Sequence, residues 1–387
     1  MFFTTRKMAK MNLRNRKSVS RQQFGSRMSY FAHSAGGKRR GAMKSVLVLL
    51  LAAAANRVVS GSELEVVADF GWTHQPTGIA VSESGRTFVS FPRWFTNFTG
   101  PSVVEVNTKD GTTSPYPNMD LNSWSQSDSD DAAGVKFVCI QSVFVDHFDN
   151  LWVLDAGNAY LGTAIMEGQA PDIVAGAPKL VKVNMTTNQV VKTIKFDLDI
   201  APLNSYVNDV RITLDGNHAI LSDSNMGGIK VIDLQTGEGR VLLSDHPSTH
   251  SEDNAMVTVE GQAMLLTSGD VAAFQSDGIA IIEDVLYYHA VTAKSLYKIK
   301  VELLTDATKT QEEVEAGVTF VCYSGMPDGM VLAGDDQLRG TLYMTAVEKD
   351  GVDFLSSDGF DRVIPFISHP LLQVRLHSGA FDSYSGP

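Results

Sequence analysis

The chain has 387 residues, 43% hydrophobic and 20% charged, so it can build a sizeable core and is not disordered as a whole. Its charge is unevenly placed: residues 1–44 hold 12 Lys and Arg and no acid, whereas from residue 61 onward 19 basic residues face 44 acidic ones, a net charge near −25. Such an acidic body disfavours nucleic acid and anionic membranes as partners and suits neutral or cationic ligands.

The first 60 residues contain a targeting segment. Met43 and Lys44 precede an apolar run at 45–55 that is too short to span a bilayer, and small residues at 60–62 offer a cleavage site. We therefore expect a signal peptide at 43–60 and a secreted, extracellular protein with no stable membrane anchor after cleavage. Residues 1–42 are a basic leader or precede the true start; a transit sequence and an uncleaved anchor are the less favoured alternatives.

Two sequons and two cysteines bear on this compartment. Asn97 and Asn184 each begin an Asn-x-Thr triplet, so both are predicted glycosylation sites. Cys139 and Cys322 lack the spacing of a metal site. They could pair in a secreted chain, although two separate buried thiols are favoured.

The stretch 137–157 (FVCIQSVFVDHFDNLWVLDAG) predicts a β-hairpin. Two apolar runs, 142–145 and 151–154, flank an Asp-Asn turn, and their β-branched and aromatic residues are typical of buried strands. Related units begin at residues 77, 208, 277 and 328, and most are followed by a third amphipathic run.

Short strands repeated at such spacing predict an all-β fold, a β-propeller formed as a single domain over 61–387. That span divides into six units of roughly 55 residues, so we expect six blades. The sixth unit would begin near His377, which leaves the last blade incomplete at the C-terminus, with residues 65–70 (EVVADF) as a possible closing strand.

Several motifs resemble the yellow/major royal jelly protein family. They are FPRW at 91–94, PYPN at 115–118, QSVFVDHFDNLWVLDAG at 141–157, APKLVKVN at 177–184, YVNDVR at 206–211 and YYHAVTAKSLYKI at 287–299. The resemblance covers about 70–380 and implies a secreted six-bladed propeller, distantly related to the gluconolactonase/senescence-marker propellers. It further implies either binding of biogenic amines or a dopachrome-converting activity. The chain departs from the family at 376–378, where LHS replaces Trp-Pro-Asp.

The starts of the innermost strands of a propeller surround one mouth of its central channel. The predicted ligand-binding residues stand at these starts: Thr77, Gln141, Asn208, Asp277 and Asp328. Two carboxylates among neutral polar groups suit a cation or a protonated amine, and they could raise each other's pKa enough to serve as a general acid or base. Asp277 and Asp328 are therefore also the candidate catalytic residues, weighed evenly against a role in turns, whereas Asp209 is expected to cap a turn.

No resident cofactor is expected. The gluconolactonase relatives hold a divalent metal with a Glu, an Asn and an Asp, but Gln75-Pro-Thr77 stands where the resemblance would place that Glu. We predict no catalytic metal, and at most a weak Ca²⁺ site. The sequence also lacks the nucleophile-elbow, zinc-protease and nucleotide-binding motifs.

Aromatic and histidine side chains near the mouth have two interpretations. They could stack on a ring-bearing ligand, but packing in the core is the favoured interpretation; these aromatics are Trp94, Phe95, Trp124, Tyr160 and Tyr206. His289 is predicted to be packed and His147 to be solvated.

Four functions remain open. The first is binding of a small cationic or aromatic molecule, an amine or a quinone, at the channel mouth. The second is a dopachrome-type tautomerase in which Asp277 or Asp328 moves the proton. A metal-dependent lactonase and a structural extracellular protein are less favoured.

Overall fold

The computed structural model describes residues 7–12, 27–32, 44–51, 63–71, 74–166, 173–259, 261–266, 269–333, 341–356, 362–369 and 372. Strands dominate these ranges. The helical elements are α1 (Asp130–Ala133), α2 (Leu161–Met166), α3 (Val301–Thr305), α4 (Gln311–Ala316) and short 3₁₀ turns at Pro247–Thr249 and Val347–Lys349. None of the helices in these ranges has the length and apolar character needed to cross a membrane.

The first four strands form a sheet of their own. They are β1 (Lys7–Asn12), β2 (Arg27–Ala32), β3 (Lys44–Leu51) and β4 (Glu63–Gly71), in the spatial order β1-β4-β3-β2. Strand β3 overlaps the apolar run of the predicted signal peptide, whose cleavage stays a prediction. Strand β4, which includes the predicted closing strand, packs through Val67 and Phe70 against Val89 and Phe91.

Five further sheets follow, each a four-stranded antiparallel meander in which strands adjacent in sequence are adjacent in space. Blade 1 comprises β5 (Gly78–Val81), β6 (Thr87–Ser90), β7 (Val103–Val106) and β8 (Thr113–Pro115). Blade 2 comprises β9 (Ile140–Val145), β10 (Asn150–Asp155), β11 (Lys179–Asn184) and β12 (Gln189–Lys195). Blade 3 comprises β13 (Val207–Ile212), β14 (His218–Asp223), β15 (Ile229–Asp233) and β16 (Gly239–Leu242).

The remaining strands follow the same plan after a two-stranded ribbon, β17 (Thr258–Val259) and β18 (Gln262–Ala263). Blade 4 comprises β19 (Ser276–Ile282), β20 (Val285–Ala290), β21 (Ser295–Lys300) and β22 (Thr319–Tyr323). Blade 5 comprises β23 (Met330–Ala333), β24 (Thr341–Ala346), β25 (Gly351–Leu355) and β26 (Val363–Ser368).

The blades stand around a common axis. The first strands of successive blades, β5, β9, β13, β19 and β23, are neighbours in space. Apolar clusters join the facing sheets of blades 1 and 2, 2 and 3, 3 and 4, and 4 and 5. Radial sheets that pack face to face around their first strands form a β-propeller, so the predicted all-β propeller architecture is confirmed.

The predicted number of six blades is wrong: the described residues form five. Dividing the span into units of roughly 55 residues underestimated the length of the repeating unit, because long connections are inserted between the sheets. The segments 116–139 and 243–275, for example, separate the last strand of one blade from the first strand of the next. Five units therefore occupy the chain as far as Ser368, and the sixth start expected at His377 lies outside the described residues.

The hairpin of blade 2 shows how the sequence sets the local fold. Asp146 accepts hydrogen bonds from the backbone N–H groups of Phe148 and Asn150 and from the indole N–H of Trp152, at 3.0, 2.9 and 2.7 Å. Asp149 takes the left-handed conformation (φ 61°) that closes the turn. One carboxylate thus organises the whole turn predicted at 147–150.

The first strands approach each other so closely that two blades need glycine at the second position. A Cβ at Gly78 would lie 3.0 Å from Ser142 Cα and 3.0 Å from Val143 N. A Cβ at Gly278 would lie 2.7 Å from His289 Nε2 and 3.2 Å from Gly329 Cα. The residues just before these glycines, Thr77 and Asp277, are consequently held against the neighbouring blade.

Candidate ligand site at the mouth of the propeller

The residues at the starts of the first strands, one for each blade, are called the leading positions. A chain of hydrogen bonds links the leading positions of four blades. Thr77 Oγ1 donates to the backbone oxygen of Gln141 at 2.6 Å. Gln141 Nε2 donates to Asn208 Oδ1 at 3.3 Å, and Asn208 Nδ2 donates to Asp277 Oδ2 at 2.7 Å. The structure thus brings together four of the five predicted ligand-binding residues, although 64 or more positions separate each from the next.

Asp328 supplies the leading position of blade 5. It is half-buried just before β23, and its backbone N–H donates to Thr345 Oγ1 at 2.5 Å. Burial, together with the charge of Asp209, raises the pKa of the Asp328 carboxyl to about 6. Burial and then the charges of Asp328 and Asp209 raise the pKa of Asp277 well above its usual range. Simultaneous ionisation of all the carboxyl groups at the mouth is therefore unfavourable.

Asp209 is the residue after Asn208 and lies beside it in the channel wall. It was expected to cap a turn, but it lies within β13 and pairs with Arg211, whose Nη1 is 2.7 Å from its Oδ1. The Ser142 hydroxyl donates to the same oxygen at 3.0 Å. Arg211 thus provides Asp209 with a cationic partner, so the charge of Asp209 is already balanced.

Serine side chains that the sequence argument missed complete this wall. Ser224 Oγ accepts from Asn208 Nδ2 at 3.0 Å, and Ser222 Oγ donates to the backbone oxygen of Asp277 at 2.5 Å. Ser222 is the last residue but one of β14 and Ser224 directly follows the strand, which is antiparallel to β13. Antiparallel pairing places the end of the second strand beside the start of the first, which was the available clue.

Trp94 and Tyr206 brace the wall from behind. Trp94 Nε1 donates to the Tyr206 hydroxyl at 2.7 Å, and that hydroxyl donates to Gln141 Oε1 at 2.7 Å. Both rings are buried in the core between blades 2 and 3, and burial raises the pKa of Tyr206 well above its usual range. Trp124 is buried as well, so of the five aromatics named in advance only Phe95 and Tyr160 keep appreciable accessible surface.

The histidines lie as expected. His289 is fully buried on β20, where Nδ1 is 2.9 Å from the backbone oxygen of Ala290 and Nε2 has no partner in the described structure. Burial lowers the pKa of His289 to about 4, so the ring is neutral at physiological pH. His147 is exposed in the hairpin turn.

Cys139 and Cys322 are buried in different blades and are not joined by a disulfide. Asn97 is exposed, whereas Asn184 is half-buried. Over the described ranges, no three His, Cys, Asp or Glu side chains are grouped closely enough to hold a metal ion.

Comparisons with known proteins agree on a family. The model of the major royal jelly protein family matches residues 138–358. The chain is similar to major royal jelly protein 1 of Apis mellifera, 22% identical over 59% of this chain and 51% of that protein. It is similar to major royal jelly protein 3 of the same species, 24% identical over 74% of this chain and 48% of that protein. The chain thus spans about half the length of these curated relatives.

Solved structures show weaker similarity. A nidogen/laminin complex aligns with a TM-score of 0.49 at 11% identity, covering 90% of this chain and 96% of that chain. A virginiamycin B lyase from Staphylococcus aureus aligns with a TM-score of 0.39 at 14% identity, covering 76% of this chain and 85% of that chain. The family model, by contrast, matches more than half of the chain and includes the strands that carry four of the five leading residues or directly follow them. The chain belongs to the yellow/major royal jelly protein family, as its sequence motifs predicted.

Proposed function

We propose that the protein binds a small cationic molecule, a protonated amine with an aromatic ring, at the channel mouth. The observation that carries this proposal is the hydrogen bond from Asn208 to Asp277, which holds a buried carboxylate among the leading residues of the blades. Membership of the family alone does not supply a ligand, since one fold serves many functions.

The charges of the mouth favour a cation. Asp209 is paired with Arg211, but no cationic side chain of the described residues pairs with Asp277 or Asp328. Their raised pKa values reflect the cost of burying negative charge without such a partner. An ammonium group would stabilise the ionised carboxylates and donate several hydrogen bonds to them. The acidic body would also attract a cation towards the site.

Two partly accessible aromatic side chains could pack against the ring of the proposed ligand. Phe95 and Tyr160 remain partly accessible on loops that follow the second strands of blades 1 and 2. Because β6 and β10 run antiparallel to the first strands of their blades, these loops leave the sheets on the side of the mouth. Aromatic faces on the same side of the propeller as the carboxylates suit an aryl amine, since the ring of such a ligand can pack while its ammonium group ion-pairs.

One observation favours a second candidate, a tautomerase of the dopachrome type. The pKa of Asp328, about 6, is close to the working pH of a general acid or base. In such a reaction the Asp328 carboxylate would take a proton from one position of a quinone substrate. A proton would then return at another position, with no net oxidation.

We also propose that the protein is secreted. The apolar run at 45–55 after Met43 and Lys44 and the two sequons support an extracellular location. Glycosylation of the protein secreted from insect cells tests this location.

Thermal shift and calorimetry test the binding proposal. Tyramine, dopamine, serotonin and dopachrome, and in separate samples Ca²⁺, EDTA and a simple lactone, would be added to the purified protein at pH 7.5. A ligand that binds only the folded state raises the melting temperature. We expect an amine to do so, and Asp277→Asn to weaken its binding about 10- to 100-fold, as for a lost charged hydrogen bond.

A matched control is Asp253→Asn, which removes an exposed carboxylate that is not one of the leading residues and should leave amine binding unchanged. Equal amine affinity in Asp277→Asn and the parent would reject the site. Turnover of dopachrome that disappears in Asp328→Asn would establish the tautomerase. Lactone hydrolysis abolished by EDTA would point to the metal-dependent alternative, and indifference to every compound would leave a structural role.

A further inference from the structure

Arg93, in the FPRW motif of blade 1, is a buried cation without an anion. Its side chain is 6% exposed, and its guanidinium carbon lies 4.6 Å from the ring centre of Phe98 and 5.6 Å from that of Trp124. The guanidinium donates no hydrogen bond to any residue that the structure describes, and Nε is sealed from solvent. A buried charge with no partner is costly, so this arrangement needs an explanation.

Two other arginines show how this chain normally satisfies such a group. Arg86 lies 5.1 Å from the ring centre of Phe88, but its Nε and Nη2 also form two hydrogen bonds to Glu105, at 2.7 and 2.9 Å. Arg211 lies 5.2 Å from the ring centre of Phe144 and pairs with Asp209. Arg93 likewise lies beside aromatic rings, but no carboxylate of the described residues forms a hydrogen bond with it.

The described residues around Arg93 do not neutralise it. Asp155 is the carboxylate that acts on Arg93 electrostatically, but it lies 2.7 Å from Lys179 Nζ. It also accepts hydrogen bonds from the backbone N–H groups of Val138 and Cys139. Two buried cations therefore share one carboxylate, which leaves a net positive charge at this place in an otherwise acidic protein.

A second donor nearby also lacks an acceptor. The indole N–H of Trp124, 5% exposed, has no hydrogen-bond partner in the described structure. Arg93 Nε and the Trp124 indole N–H are thus two donors without acceptors, and one negatively charged group that accepts hydrogen bonds would satisfy both. A carboxylate satisfies both requirements, and its two oxygens match the planar fork of arginine.

We propose that Arg93 anchors a subsite for the carboxylate of a small aromatic acid, with Phe98 and Trp124 flanking the guanidinium and the indole N–H as a second donor. The subsite lies beside the channel mouth, because the next residue, Trp94, is bonded through Tyr206 to Gln141. A single carboxylate fits better than a phosphate or a polyanion, since the surrounding body is strongly acidic. The proposal goes beyond the amine site and does not depend on it.

Matched probes test the subsite. 3-(4-Hydroxyphenyl)propionate and tyramine carry the same ring but opposite charges. Calorimetry on the purified full chain at pH 7.5 should show that the propionate binds the parent protein, and that Arg93→Gln weakens its binding about 10- to 100-fold. Arg93→Gln should leave tyramine binding unchanged, so failure of one site is distinguishable from failure of the other.

Further variants separate binding from folding. Arg362→Gln removes an exposed arginine and should not affect the propionate. Trp124→Phe keeps the ring and removes the N–H, so it should weaken the propionate several-fold and provides a readout if Arg93→Gln fails to fold. No binding of the propionate to the parent, or equal binding to Arg93→Gln and the parent, would overturn the proposal. So would a lower melting temperature of ligand-free Arg93→Gln with no change in binding, because it would show a purely structural cation–π role.

Discussion

Lys179 Nζ lies 2.7 Å from a carboxylate oxygen of Asp155, and both side chains are completely buried in blade 2. The lysine also donates to the backbone oxygens of Ala133 and Ala177, both at 2.9 Å, so all three of its protons are bonded. Blade 3 repeats the arrangement, with Lys230 Nζ 2.9 Å from Asp223. In both blades the pair ties the end of the second strand to the start of the third.

Removing the cation of this pair should be severely destabilising. Lys179→Met leaves the Asp155 charge buried without its partner, which costs about 3–5 kcal/mol in comparable cases. Urea unfolding would measure the loss. Lys182→Met is the matched control, because Lys182 lies on the same strand and is half-buried, with its ammonium 5.1 Å from the ring centre of Trp152, so the change should cost about 1 kcal/mol or less. Similar losses in both variants would contradict the importance of the pair.

The close approach of the first strands predicts opposite results for two neighbouring glycines. Gly278→Ala would place a Cβ against His289 and the backbone of Gly329, so we expect it to destabilise the fold by about 1–3 kcal/mol. Gly329→Ala has open space around its Cβ and should be neutral or slightly stabilising. Thermal unfolding of the two variants side by side checks this. A stable Gly278→Ala would show that the first strands can separate.

The mouth carboxylates predict how stability depends on pH. The pKa of Asp328 in the folded protein, about 6, exceeds the value of about 3.9 expected in the unfolded chain. Its stabilising contribution is therefore fully present below about pH 4 and is lost as the pH rises through 6. The raised pKa of Asp277 acts in the same direction.

Melting temperatures from pH 4 to 8 would show this effect. We expect Asp328→Asn to raise the melting temperature at pH 7.5 by a few degrees, roughly 2–4 °C per kcal/mol. The variant should also reduce the fall in melting temperature between pH 5 and 7.5. Asp253→Asn serves again as the control. An unchanged slope in Asp328→Asn would mean that this carboxyl titrates normally.

The two sequons should differ in occupancy. Asn97 is exposed, whereas Asn184 is half-buried at the end of β11, where its side-chain oxygen accepts the backbone N–H of Thr187 at 3.0 Å. We expect secreted protein from insect cells to carry a glycan at Asn97 and less at Asn184. Glycosidase treatment with intact-mass measurement, on the parent and on Asn97→Gln, tests this. Secreted protein without any glycan would reject both sites, and no secretion would reject the proposed location.

The sequence predicted the repeating strands well, because a buried strand needs a run of β-branched and aromatic residues whatever its neighbours are. The starts proposed at 141, 208 and 277 lie within β9, β13 and β19, and those at 77 and 328 lie one or two residues before β5 and β23. The count of blades failed, since insertions between sheets do not show in a division by length.

The site was only partly accessible to sequence reasoning. Asn208 and Asp277 could be named because they stand at equivalent places in the repeat. The pairing of Asp209 with Arg211 and the isolation of Arg93 could not be, because each depends on which charges meet across strands and loops in three dimensions. Charge pairs of that kind produce no repeating pattern in the amino-acid sequence.

The leading positions have a consequence for evolution. Each blade contributes one side chain to the mouth, in turn threonine, glutamine, asparagine, aspartate and aspartate, while other residues hold the blades together. If these residues bind a ligand as proposed, a single codon change at such a position can alter ligand preference without disturbing the packing between sheets. On that proposal, duplicated genes of this architecture can diverge in ligand preference one blade at a time.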